Sequence, residues 1–229
     1  MPYCSTREFT FSKDQLAIGF TSSSMGGGHI GIGFHSAKEG PKLLHLCAHL
    51  QLQTDDFPPS TPACWIATTV ELPEVASKQL VAIVRAISTR LPEINYGINF
   101  LAAPGSFNEN GRYKPPKGSD GLTCATFVST IFRDLRFPLV TETTWQPHQK
   151  NIAWGENVYN WLAANKVDPD HLKAVKGSIK GLRIRPDEVA AAADMPLTDR
   201  PITFEIASEN APIVEEALKL ASNPQIALE

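Results

Sequence analysis

No stretch of this sequence approaches the run of about 18 apolar residues that a membrane helix needs, so no helical span is expected. A charge excess of one sign is missing as well. With 21 basic and 24 acidic residues, the net charge of −3 provides no basic face for nucleic acid. The start of the chain, Met1-Pro2-Tyr3-Cys4-Ser5-Thr6-Arg7-Glu8, lacks the charged-then-apolar pattern of a secretory signal. A cytoplasmic protein is expected, with non-classical export as the open alternative. Cysteine is sparse: Cys4, Cys47, Cys64 and Cys124 contain no C-x-x-C pair, which argues against a zinc ribbon or a dithiol redox centre. With no export signal, those thiols are expected to be reduced. The glycine-rich segment 21–28 lacks the Gly-Lys-Ser/Thr ending of a phosphate loop and reads as a turn. There is no internal repeat and no low-complexity tract. A chain of 229 residues can bury one good core, and the expectation is a main domain over 1–166 with an accessory region over 167–229 packed on it.

What is present begins as β-structure. Residues 8–11 and 15–20 are predicted as short strands, and 29–35 alternates strictly. Ile30, Ile32 and Phe34 take one face; His29, Gly31, Gly33 and His35 take the other. The two glycines strip bulk from the face of His29 and let another element or a ligand approach. Residues 43–50 alternate again, placing His45, Cys47 and His49 together, and 64–70 reads as one more strand. A helix follows from Pro73, at its first helical position, to Leu91, with a stripe of Ala76, Leu80, Ile83, Val84, Ile87 and Leu91. Residues 95–120 read as a long polar loop rich in Gly and Pro, 124–135 as an apolar helix, and 156–166 as another. The tail reads as short helices and strands around 187–193, 202–206 and 211–221, with no clustered chemistry.

Chemistry concentrates at Cys124. A thiol in the first turn of a helix meets free N–H groups and the positive end of the helix dipole, and both favour the thiolate. Free cysteine is also among the most buried residue types, so position alone does not make Cys124 a nucleophile. His29, heading its own strand, supplies the second half of a Cys–His pair. His45 is the leading candidate to orient it, with His35 and His49 as the others. The set His45, Cys47 and His49 also suggests a metal, but three alternate residues of a straight strand span about 13 Å, too wide for one tetrahedral ion. No metal and no cofactor are expected. Trp145, Trp154, Tyr159 and Trp161 read as core packing rather than a stacking platform.

Together these segments resemble a known family. His29-Ile30-Gly31-Ile32-Gly33-Phe34, followed by Leu43-Leu44-His45, is similar to the paired strands of the NlpC/P60 cysteine peptidases, where a His-Val-Gly-Ile-Tyr strand carries the base. Asp120-Gly121-Leu122-Thr123-Cys124-Ala125-Thr126-Phe127-Val128 resembles the Asp-Cys-Ser-Gly-Phe-Val helix start of that family, and Tyr96-Gly97-Ile98-Asn99-Phe100 its Tyr-x-x-Gly-Gly segment. The strands precede the cysteine, which is the order of the circularly permuted relatives, a group that includes the lecithin:retinol acyltransferase-like enzymes. The likeness covers roughly Gly19 to Leu135. Thr123 stands where the family has Asp, Ala125 where it has Ser, and the loop between Tyr96 and Cys124 is long. The resemblance implies an α+β, papain-like fold with an antiparallel sheet packed on the cysteine helix. It implies a catalytic set of Cys124, His29 and His45, with Tyr96 and Thr123 lining the substrate or oxyanion site. The implied substrate is a peptide or cell-wall peptide amide. An acyltransferase or thioesterase acting on lipid or acyl substrates is the alternative within enzymes, and a non-catalytic binding module the alternative outside them. An exported toxin with an inhibitory protein partner and a housekeeping hydrolase would share these features.

Overall fold

The alternating segments pair into a six-stranded antiparallel sheet in the order β1-β6-β2-β3-β4-β5. Its strands are β1 (Cys4–Ser5), β2 (Leu16–Ser22), β3 (Gly28–Ser36), β4 (Gly40–Ala48), β5 (Gln51–Asp56) and β6 (Trp65–Thr69). The computed structural model describes residues 3–12, 14–23, 25–36, 40–60, 63–98 and 105–223. The expected strand at 8–11 is absent; Phe9 and Phe11 instead fold edge-to-face onto Phe57. The expected strands at 15–20, 29–35 and 64–70 are present as β2, β3 and β6.

Strand alternation divides the apolar residues between two faces. Ile18, Phe20, Ile30, Ile32, Phe34, Leu44 and Leu46 join the main core, which the helices complete. On the other face Leu43, Phe57, Trp65 and Ala67 form a smaller cluster with Phe9 and Phe11. Gly31 acts there as the sequence predicts: a Cβ on it would lie 2.8 Å from that of His45, so the missing side chain lets β4 bring a histidine across.

Helix α1 (Glu74–Arg90) buries Ala76, Leu80, Val81, Val84 and Ile87, which is most of the predicted stripe. Pro73 is its N-cap, in an extended conformation, rather than its first helical residue. Leu91 lies beyond the helix in a left-handed conformation and is exposed. The loop region adds a two-stranded ribbon of β7 (Ser106–Phe107) and β8 (Tyr113–Lys114). Helix α2 (Cys124–Asp134) is buried along its first nine residues and packs on β3 and β4.

The last third is helical rather than mixed: α3 (Gln149–Ala164), α4 (Pro169–Gly177), α5 (Pro186–Asp194) and α6 (Phe204–Ser222). Of the segment 202–206, Ile202 forms one bridge with Val140 and the rest from Phe204 opens α6. Helix α5 is no outer layer. Its run Val189-Ala190-Ala191-Ala192-Ala193 is buried against β2, β3, β6 and α2, because alanine lets a helix approach a sheet closely. Residues on both sides of the 166/167 boundary therefore share one core. The fold is mixed α+β, with an antiparallel sheet and, among the described residues, six α-helices. No helix among these residues is long and apolar enough to cross a membrane.

Candidate active site

Cys124 opens α2, and Thr123 caps it. The Thr123 Oγ1 accepts the Thr126 N–H (3.1 Å) while the Thr126 Oγ1 accepts the Thr123 N–H (2.8 Å), a reciprocal capping box that satisfies two backbone donors. The thiol is 4 % exposed. Burial pushes its pKa up; the N–H groups of Ile30, Ala125 and Cys124 and the Arg183 guanidinium pull it down without cancelling that rise. The thiolate expected from the helix start alone is thus not the resting form, and the thiol needs a base.

The two predicted histidines meet. His29 Nε2 lies 2.8 Å from His45 Nδ1, and His45 Nε2 lies 3.0 Å from Asp55 Oδ2 on β5. Chemistry sets the proton positions. A carboxylate only accepts, so His45 carries its proton on Nε2 and donates it to Asp55. Its Nδ1 then accepts, so His29 donates from Nε2 and keeps a lone pair on Nδ1. Burial, then the neighbouring His45, holds the His29 pKa down to about 3, and burial lowers His45 too despite Asp55. His29 is a neutral imidazole. Both rings also meet the edge of Trp65, with centroids 5.7 and 5.8 Å away.

The other candidate orienters go elsewhere. A β-bulge between Leu46 and Ala48 leaves Cys47 without a cross-strand partner and ends the alternation. His49 consequently leaves the His45 face. Its Nδ1 accepts the Tyr96 N–H (3.2 Å), and its ring lies 4.7 Å from that of His171, whose Nε2 donates to the Tyr96 carbonyl (3.0 Å). His35 is at the opposite end of β3 from His29, its carbonyl accepting from Arg85 Nε (3.1 Å). Cys47 stays beside the pair, 3.2 Å from His45 Nδ1. Burial, Asp55 and Cys124 push its thiol up to about 12, so it is protonated and donates to Gln53 Oε1 (3.2 Å).

Tyr96 reaches the thiol from a segment that crosses the start of α2. Tyr96 bridges Leu122, the Gly97 N–H donates to the Leu122 carbonyl (3.1 Å), and the Ile98 N–H donates to buried Asp120 (3.1 Å). The crossing needs glycine on both sides. A Cβ on Gly97 would lie 2.2 Å from the Asp120 carbonyl oxygen, and one on Gly121, at φ +118°, 1.9 Å from that of Asn95. Burial, then the neighbouring Cys124 sulfur, raises the pKa of the Tyr96 hydroxyl. Asn99 and Phe100, which end the Tyr96 motif, and the polar loop up to Pro104 lie outside the described residues, as does Ser24 of the glycine-rich turn.

Sequence reading misses two members of the site. Asp55 lies on a strand whose only buried residue is Leu52, an edge pattern with almost no apolar signal. Arg183 precedes α5 in the tail. Its guanidinium carbon lies 3.7 Å from the centre of the Trp154 ring, so Trp154 serves as a platform, not only as packing. Arg183 has no hydrogen bond or ion pair among the described residues, whereas Arg185, two positions on, holds Asp187 (3.2 Å) and Glu188 (3.0 Å). No sequence pattern distinguishes the two arginines.

His29, Cys47, Tyr96, Thr123, Cys124 and Arg183 line one cavity of about 40 Å³ at the end of the sheet where β3 begins and β4 ends. All five predicted site residues converge there, His45 standing directly behind His29. No hydrogen bond joins the His29 ring to the Cys124 thiol among the described residues. The arrangement offers a neutral base with a lone pair, a thiol at a helix start, and backbone N–H groups beside the sulfur. Such a set suits nucleophilic acyl transfer. Compared with known proteins, the chain matches no family model, no curated protein and no solved structure.

Proposed function

We propose that this protein is a cysteine hydrolase that cleaves an amide bond through an acyl-enzyme, on a permuted papain-like version of the α+β fold. The observation that carries this reading is the chain Asp55–His45–His29, which engages His29 Nε2 and leaves Nδ1 its lone pair, while His29 and Cys124 line one cavity. His29 Nδ1 takes the thiol proton as Cys124 Sγ bonds to the substrate carbonyl carbon. The N–H of Cys124 at the helix start and the Tyr96 hydroxyl receive the oxyanion, where one good donor is typically worth about 3–4 kcal/mol. Collapse breaks the C–N bond, and His29 returns its proton to the departing amine. Water, losing a proton to the same nitrogen, then cleaves the thioester. His45 and Asp55 hold the tautomer and orientation that every step needs. Arg183 supplies the positive charge that favours the thiolate.

The polar loop before Cys124 favours a peptide over a lipid, so cell-wall peptide fragments are the first substrates to offer. We expect release of a new amine and carboxylate, an acyl adduct confined to Cys124, and loss of both in Cys124→Ala and His29→Ala. Turnover of acyl thioesters but of no peptide would select the acyltransferase or thioesterase alternative. Alkylation of Cys4 as fast as Cys124, unchanged by His29→Ala, would refute the catalytic reading.

A further inference from the structure

Three donor atoms at the inner wall of the cavity form a triangle. Donor atoms of His29, His45 and Cys47, one from each, lie within 4.8 Å of one another; His29 Nε2 and His45 Nδ1 are 2.8 Å apart, and the Cys47 sulfur is 3.2 Å from His45 Nδ1. A tetrahedral zinc ion sits about 2.0–2.1 Å from histidine nitrogen and about 2.3 Å from thiolate, so its ligand atoms are roughly 3.3–3.6 Å apart. The two short sides open by about half an ångström, and the side between His29 and Cys47, bounded by 4.8 Å, closes toward the same spacing as the side chains turn to the ion. The donors come from two strands, with His29 of β3 in place of His49, so the span of about 13 Å that excludes three alternate residues of one straight strand does not apply.

What surrounds the triangle is also what a metal site needs. The second nitrogen of His45 is hydrogen-bonded to the Asp55 carboxylate, the arrangement that orients a metal-bound imidazole and raises its basicity. Two imidazoles and a thiolate suit a borderline ion such as Zn²⁺ and give little to Mg²⁺ or Ca²⁺. His29 and Cys47 line the cavity, so the fourth position faces it.

We propose that His29, His45 and Cys47 form a Zn²⁺ site that switches the hydrolase off. The ion takes the place of the proton shared by the two imidazoles. On binding, Zn²⁺ bonds to His45 Nδ1, to His29 Nε2 and to the Cys47 sulfur. The Cys47 proton leaves to solvent, and the His29 proton passes through solvent from Nε2 to Nδ1. His29 Nδ1 is now an N–H and cannot accept the Cys124 proton. Metal binding rests on the three distances alone; inhibition rests also on the proposed hydrolase reading.

Cobalt(II) reports the site directly, because a thiolate bound to Co²⁺ gives a charge-transfer absorption and tetrahedral coordination gives visible ligand-field bands. Titrating the full chain with Co²⁺, then displacing it with Zn²⁺, should give one equivalent with both signals. Cys47→Ser should abolish the charge-transfer band, whereas Cys124→Ser should keep it. Asp55→Asn should weaken Zn²⁺ binding by about 10–100-fold while both bands remain. No stoichiometric binding, or a band that survives in Cys47→Ser and vanishes in Cys124→Ser, overturns the proposal. Binding without hydrolysis of any substrate leaves the metal site standing and removes the hydrolase; hydrolysis indifferent to Zn²⁺ does the reverse.

Discussion

His29 is an imidazole held neutral by its surroundings, and that has a cost in acid. Its pKa is about 3 in the fold against an ordinary value of 6.5. Between those two values the unfolded chain binds a proton that the folded chain refuses, so stability is complete above pH 6.5 and falls as pH drops toward 3. The lowering of His45 acts in the same direction. The effect amounts to a few kcal/mol at most, since each unit of difference is worth about 1.4 kcal/mol. Replacing His29 by Gln removes its share. With a chelator present, the urea midpoint of His29→Gln should decline less between pH 7 and pH 4.5 than that of the wild type. An equal decline in both would show that the acid sensitivity lies elsewhere. Arg183 answers to a different measurement. Arg183→Met leaves the Trp154 contact largely filled and removes the charge, so alkylation of Cys124 at neutral pH should slow roughly tenfold. The pH midpoint of that reaction should also move up.

At the scale of elements, the site depends on how the ends of β3, β4 and α2 are fixed. The capping box holds the first turn of α2, and Thr123→Ala should cost about 1 kcal/mol in urea denaturation. If the proposed hydrolase reading holds, the same variant should lose activity beyond that cost, because the turn it loosens carries Cys124. Gly121→Ala is a harsher change: its Cβ overlaps the Asn95 carbonyl and its φ is +118°, so the crossing under Tyr96 cannot close. It should lower the thermal midpoint far more than Gly118→Ala, which meets nothing within 4 Å and bears only its positive φ. These elements differ in how legible they are. Strict alternation marks β3, and an apolar period of 3.6 marks α1 and α2, so His29 and Cys124 can be placed from sequence. Alternation also predicts His45, Cys47 and His49 together; it holds for Cys47 and fails for His49, because a bulge needs only one extra residue and leaves no compositional trace. Edge strand β5 escapes notice because five of its six residues are polar, and the carboxylate behind His45 goes with it.

Over the whole molecule, one core joins the sheet to helices drawn from both halves of the chain. A fragment of residues 1–166 retains Cys124 and both histidines but loses α5, whose alanine face covers β2, β3 and α2. It should bind hydrophobic dyes, lack a cooperative thermal transition and show no accelerated alkylation of Cys124. A cooperative transition in that fragment would mean that the two halves fold independently. The tail escapes sequence reading for a related reason: a run of alanines looks the same whether it faces water or a sheet, and only packing separates Arg183 from Arg185. Its position late in the chain sets an order of events during synthesis. Cys124 leaves the ribosome well before Arg183 and α5, so the growing chain carries an ordinary thiol. The buried cavity that raises its pKa and the guanidinium that offsets part of that rise arrive only when the last third docks, so the environment of this thiol is assembled last.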